Sequence, residues 1–121
     1  MIKVFISQPM RDKTKEEILE VRNKAKAMIE SYGFEVADSF FSEEWLEENA
    51  KGKNNMPLWC LGESLKIMSE CDAVYFCDEW SGARGCRVER ACAVLYGLRT
   101  FDVEEDVAAY KKHYEVKEND G

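Results

Sequence analysis

Three stretches of the chain carry side chains whose types and spacing suit chemistry. Ser7-Gln8-Pro9-Met10-Arg11-Asp12 gathers a hydroxyl, an amide and a guanidinium into one turn. Ahead of a helix such a turn can bind an anion or a sugar, and a solvated capping loop has the same composition. Asp78-Glu79-Trp80-Ser81-Gly82-Ala83-Arg84-Gly85 combines two glycines, which permit close backbone approach, with donors from Ser81 and Arg84. It is neither a Walker loop nor a GxGxxG fingerprint. Glu89 follows on the first turns of the next helix, among Cys86, Val88, Cys92 and Ala93. Facing solvent, it is an ordinary surface acid; facing inward, it is a carboxylate aimed into a cleft. A helix N-terminus favours its ionised form, the form a nucleophilic carboxylate needs. Asp72 and Asp38 stand beside apolar runs, where Asp commonly serves a turn, Asp38 being the better placed for a cleft. Trp80 either stacks on a base or covers its own loop.

These side chains need a frame. Ile2, Val4, Phe5 and Ile6 form a short apolar run ended by Ser7-Gln8-Pro9, the pattern of a buried strand. Lys13 to Tyr32 reads as a helix, with Thr14 as N-cap, Glu17 as its capping-box partner and Gly33 as the stop. Its apolar stripe is Ile18, Val21, Ala25, Met28 and Ile29. Phe34 to Ala37 is a second strand. Asp38 to Pro57 is irregular, with Ser42 capping a short helix and a mobile loop at 51–55. A helix follows from near Pro57 to Glu70, with Leu58, Leu61, Leu65 and Met68 on one face. Ala73 to Cys77 is the third strand. A helix with Val88, Ala91, Cys92 and Leu95 on its apolar face ends near Gly97. Leu98 to Val103 holds a fourth strand, and the charged tail from about 104 to 121 leaves room for a short helix. Strands alternating with helices predict a parallel sheet covered on both faces. Ligands of such sheets bind beyond the carboxyl ends of the strands, so loops 7–14, 38–44 and 78–86 are the ones to inspect.

The chain has 121 residues, with 17 Lys and Arg against 24 Asp and Glu, a net charge of −7. That length fits a single domain over residues 1–121. The negative balance argues against duplex nucleic acid or an anionic membrane as partner. A small anionic ligand stays compatible, because the acids concentrate at Glu43, Glu44, Glu47, Glu48 and Glu104, Glu105, Asp106, while the candidate loops carry Arg11, Arg84 and Arg87. Five cysteines without CxxC spacing, and one histidine, predict no metal site and no cofactor. Such thiols read as reduced core residues of a cytoplasmic protein. The MIKVFIS start does not read as a secretory segment, and no apolar run is long enough to span a membrane.

MIKVFISQPM, the run Ser69-Glu70-Cys71-Asp72-Ala73-Val74-Tyr75-Phe76, and Trp80-Ser81-Gly82-Ala83-Arg84-Gly85-Cys86-Arg87-Val88-Glu89-Arg90-Ala91 together resemble the nucleoside 2-deoxyribosyltransferase-like superfamily. The nearest group is its small bacterial and phage branch, the DUF4406 proteins. The resemblance covers about residues 1–102, with 40–57 matching poorly. It implies a flavodoxin-like three-layer α/β sandwich with a four- to five-stranded parallel sheet. It also implies cleavage or transfer at the N-glycosidic bond of a deoxynucleoside or its 5′-monophosphate. Gly85 and Glu89 match the family's glycine-to-glutamate setting, which makes Glu89 the nucleophile. The acid assisting the departing base would be Asp78, ahead of Asp38. Asp72 matches a recurrent aspartate with a structural or substrate-orienting role. Ser81 and Arg11 match phosphate-holding positions, and Ser7, Gln8 and Met10 would line the sugar and base pocket. Trp80, Gly82, Arg84 and Gly85 would complete the substrate surface.

The chain departs from that pattern. Phe5 stands where the transferases carry a tyrosine that positions the nucleophile. Arg84 and Arg87 replace small residues, and the segment that completes a neighbour's site has no counterpart. These departures favour a hydrolase over a transferase, and they leave open a protein that binds a nucleotide without cleaving it. Family members usually assemble as homo-oligomers, for which Trp45 and Trp59 would be the exposed interface residues.

Overall fold

Alternation along the first strand sorts the core into two halves. The computed structural model describes residues 1–120, with side chains as far as Glu115. In chain order the elements are β1 (Lys3–Ser7), α1 (Lys15–Ser31), β2 (Glu35–Val36), α2 (Glu43–Asn49), α3 (Met56–Met68), β3 (Ala73–Phe76), a 3₁₀ turn (Trp80–Gly82), α4 (Arg84–Leu95), β4 (Arg99–Phe101) and α5 (Glu104–Asp120). Val4 and Ile6 pack with Ala25 and Ile29 of α1 and Val107 of α5. Phe5, between them, points the other way, into Met68 of α3 and Ala93 of α4. β3 repeats the division, with Ala73 on the first side and Val74 and Phe76 on the second. This is the two-residue period of a strand buried on both faces.

The result is a three-layer α/β sandwich, flavodoxin-like, with α1 and α5 on one face and α3 and α4 on the other. The four strands are all parallel, in the order β2-β1-β3-β4. That order reverses between β1 and β3, so the crevice of the switch point opens beyond Ser7 and Phe76, which are register partners.

Most elements form where local chemistry directs them. Thr14 and Glu17 make the reciprocal capping box, Ser42 caps α2, and Gly33 takes φ 84° after α1. The strands are shorter than the apolar runs suggested; β2 keeps only Glu35 and Val36. α3 begins at Met56 under an Asn55 cap, so the end of the 51–55 loop is a helix cap. α5 extends to Asp120, well beyond a short tail helix.

Periodicity misplaced one residue each on α1 and α3 and most of the face of α4. On α1, Val21 is exposed and Arg22 is buried in its place, its Nη2 donating to Ser39 Oγ at 3.0 Å and to the Ala37 carbonyl. On α3, Met68 is buried as expected, and of that face Leu58 alone is exposed. On α4, the buried positions are Cys86, Glu89 and Ala93, and Val88 and Leu95 face outward. The i, i+3, i+7 spacing of that trio turns a carboxylate inward. No helix of the described residues is long and apolar enough to cross a membrane.

Candidate functional site

The crevice at the switch point is a cleft of about 890 Å³. One wall comes from β1, its following loop and α4: Gln8, Met10, Arg11, Arg84, Arg87 and Glu89 line it. The opposite wall comes from the segment after β2 and from α3: Ser39, Phe41, Leu46, Pro57, Cys60 and Leu61 line that side. The first wall is polar and rich in guanidinium; the second is largely apolar.

Glu89 is the most perturbed acid of the cleft. It is 7% exposed and lies one turn into α4. The strand period that turns Phe5 toward α4 turns Ser7 the same way. The Ser7 hydroxyl therefore reaches Glu89, donating to Oε1 at 2.7 Å. Burial pushes the Glu89 pKa up to about 7, against the lowering effect of the Ser7 hydrogen bond. The expectation that the helix N-terminus keeps this carboxylate ionised is thus corrected. Desolvation outweighs the dipole when the group is this deeply enclosed. Phe5 has no hydroxyl to offer, and Ser7, two residues along the same strand face, supplies one instead.

The cations of the first wall have no acid assigned to them. Among the described residues, Arg11, Arg84 and Arg87 form no salt bridge, whereas Lys13 pairs with Glu79 across the mouth at 3.5 Å. Arg84 and Arg87 stand in the first turn of α4, where the macrodipole disfavours cations. That turn has no acid, and its N-cap, Ala83, has no side-chain hydrogen bond. Free N–H groups and guanidinium groups together suit an anion. A Cβ placed on Gly82 or Gly85 would meet nothing within 4 Å. The space in front of both glycines is therefore open to a ligand.

Sequence reasoning placed other residues here that the fold places elsewhere. Asp72 lies at the amino end of β3, the opposite end from Ser7 and Phe76. Its Oδ2 accepts from the Lys3 N–H at 2.9 Å, a structural bond at the sheet's far edge. Asp78 and Asp38 are exposed and do not line the cleft; their neighbours Glu79 and Ser39 do. Ser81 is exposed and outside the lining, whereas Arg84 and Arg87 are part of it. Trp80 packs on Phe76 at 5.6 Å, and the Arg90 guanidinium lies 4.3 Å above its ring. With those contacts it covers its own loop and stays out of the cleft. Ser7, Gln8, Met10, Arg11, Gly82, Arg84, Gly85 and Glu89 are brought together.

The apolar wall was missed. Phe41 stacks on Trp45 at 4.7 Å and Trp45 on Trp59 at 5.6 Å, joining the approach to α2, α2 itself and α3. Both tryptophans are half-buried in this stack, so neither is the exposed interface residue expected of it. Phe41 precedes the Ser42 cap and lies outside α2, so no helical spacing announced this stack. Among the described residues, no group of three or more His, Cys, Asp or Glu side chains could hold a metal.

A family model described as a domain of unknown function, DUF4406, matches residues 2–102. No curated protein and no solved structure matches the chain.

Proposed function

The chain belongs to the DUF4406 family, and we propose that it cleaves the N-glycosidic bond of a nucleoside 5′-monophosphate, ribo or deoxy, with Glu89 as nucleophile. The observation that carries this reading is the enclosed Glu89 carboxylate, opposite an apolar wall and beside arginines without acidic partners. The phosphate would lie at the α4 N-terminus, between Arg84, Arg87 and Arg11. The base would rest against Phe41 and Leu61, and C1′ would face Glu89. The three-loop resemblance to the nucleoside 2-deoxyribosyltransferase-like superfamily supports the same assignment.

In the reaction, a Glu89 oxygen forms a bond to C1′ as the C1′–N bond breaks. The electron pair of that bond leaves with the base, which must gain a proton. Negative charge beside C1′ stabilises the oxocarbenium-like transition state before the bond forms. Water then attacks C1′ and frees Glu89; a second base attacking instead would make the protein a transferase. Only the ionised carboxylate can attack, so turnover should rise with pH through about 7, where Glu89 titrates. The test is a panel of nucleosides and 5′-monophosphates assayed for free base by chromatography, with wild type and Glu89→Ala. Base release by wild type and at least about a 100-fold loss in the variant are expected. No release from any substrate overturns the reading.

One observation favours a second reading, nucleotide capture without cleavage. Neither Asp78 nor Asp38 lines the cleft, so the acid for the departing base has no assigned source. Tight nucleotide binding by both wild type and Glu89→Gln, with turnover by neither, would select it.

We also propose a homo-oligomer. Val94, Leu95 and Tyr96, at the end of α4, are 61%, 79% and 84% exposed, a cluster of apolar surface suited to a second copy. Light scattering giving the mass of a single 14.0 kDa chain would refute it.

A further inference from the structure

Ser7 ends the central strand of the sheet. Its register partner is Phe76, and its carbonyl accepts the Cys77 N–H at 2.9 Å. The residue is 1% exposed, and its hydroxyl donates to Glu89 Oε1. The other carboxylate oxygen behaves differently. Among the described residues, the buried side-chain polar atoms without a partner are Gln8 Oε1 and Arg22 Nη1. Glu89 Oε2 is not one of them, and no hydrogen bond holds it. It is therefore the oxygen that keeps open access to the cleft that Glu89 lines.

A third group lies close to the pair. The Cys86 thiol, one turn before Glu89 and buried, also neighbours the Ser7 hydroxyl. Burial pushes its pKa up, so it keeps its proton and adds no charge beside Glu89. The hydrogen bond that the Ser7 hydroxyl makes is the one to Glu89 Oε1. Six charged groups line the same cleft: Arg11, Asp12, Lys13, Glu79, Arg84 and Arg87. None of them is a cause of the Glu89 shift; burial and Ser7 are.

We propose that Ser7 is the positioning residue of the site, its hydroxyl holding Glu89 Oε1 so that Oε2 is the oxygen presented to the ligand. The proposal rests on Glu89 as the reactive carboxylate, and it assigns Ser7 to the enzyme's own machinery rather than to the sugar pocket. Deleting the hydroxyl should leave desolvation unopposed and let the carboxylate rotate.

The test does not depend on turnover. Carboxyl carbons of ¹³C-labelled glutamate are followed by NMR against pH, with Glu89→Gln identifying the resonance. In Ser7→Ala the Glu89 midpoint should move up by about one pH unit. Ser7→Thr, which keeps the hydroxyl, should return it to near the wild-type value. On whichever nucleotide wild type cleaves, Ser7→Ala should lower kcat roughly 10- to 100-fold and leave KM within about twofold. If Ser7→Ala does not fold, Ser7→Cys, nearly isosteric and a poor donor, carries the same expectation. An unmoved midpoint in a folded variant overturns the proposal. A moved midpoint in a protein that releases no base upholds Ser7 as the partner of Glu89 and removes only the nucleophile reading.

Discussion

On one wall of the cleft, Ser7 and Glu89 meet although 82 positions separate them in the chain. On the other, Phe41 lines the cleft and stacks on Trp45, which stacks on Trp59 behind the lining, through contacts local to one segment and the helix after it. The first wall is held by the register of a central strand and the burial of α4's inner face. The second is held by stacked rings over a seven-residue helix with no buried residue. The contrast separates two tasks. The buried carboxylate, the group the proposed reaction would use, is fixed by the part of the fold that cannot shift without unfolding. The surface suited to a flat apolar ligand is built from a part that can adjust.

The strongest way to test this contrast is to remove the charge on the rigid wall. The sign follows from the raised pKa: the fold prefers protonated Glu89, so its contribution to stability is fully present below the unfolded value near 4.5. That contribution is lost as pH rises through about 7. Glu89→Gln should therefore be more stable than wild type by about 2–3 kcal/mol at pH 8, with the gap closing toward pH 5. Denaturant melts at both pH values check this, and equal stabilities at pH 8 would mean that the wall is not dry. A smaller effect is expected on the other wall. Trp45→Ala should cost about 2 kcal/mol through lost stacking and burial, yet leave the titration of Glu89 in place. A shifted Glu89 midpoint in that variant would show that the two walls are coupled. Smallest is the effect at the mouth. Arg84→Ala should weaken binding of a 5′-monophosphate about tenfold and leave the unphosphorylated nucleoside unchanged, measured by calorimetry. Equal losses for both ligands would remove the phosphate from the α4 N-terminus.

The two walls also differ in how far the sequence disclosed them. Short apolar runs alternating with capped helices pointed to the parallel sandwich, because each cap and each run is a local signal. The Thr14 and Glu17 box, the Ser42 cap and the loops beyond β1 and β3 were readable for that reason. The orientation of α4 was not. Its apolar residues Val88, Ala91 and Leu95 outline one stripe, while tertiary packing buries another through Cys86, Glu89 and Ala93. Glu89 was chosen by spacing after Gly85, and nothing local indicated that Ser7 would be its partner. That contact needs the strand register and the crossover together. Asp72 and Asp78 sit beside the same strand, and only the direction of β3 tells which end faces the cleft. The aromatic wall falls in the stretch that matched the family pattern poorly, so no alignment of motifs could supply it.

The central position of β1 has a consequence for how the molecule breathes. β1 is bonded to β2 on one side and β3 on the other, so its amides open only when the whole domain opens. α2 has no buried residue between its Ser42 cap and Ala50, and is expected to open at a smaller free energy. Solvent exchange should accordingly be slowest at the Cys77 amide, which Ser7 holds, and fast along Glu43–Asn49. A ligand entering over α2 would then find the Glu89 carboxylate already in place, and the domain's slowest and fastest motions would meet across a single cleft.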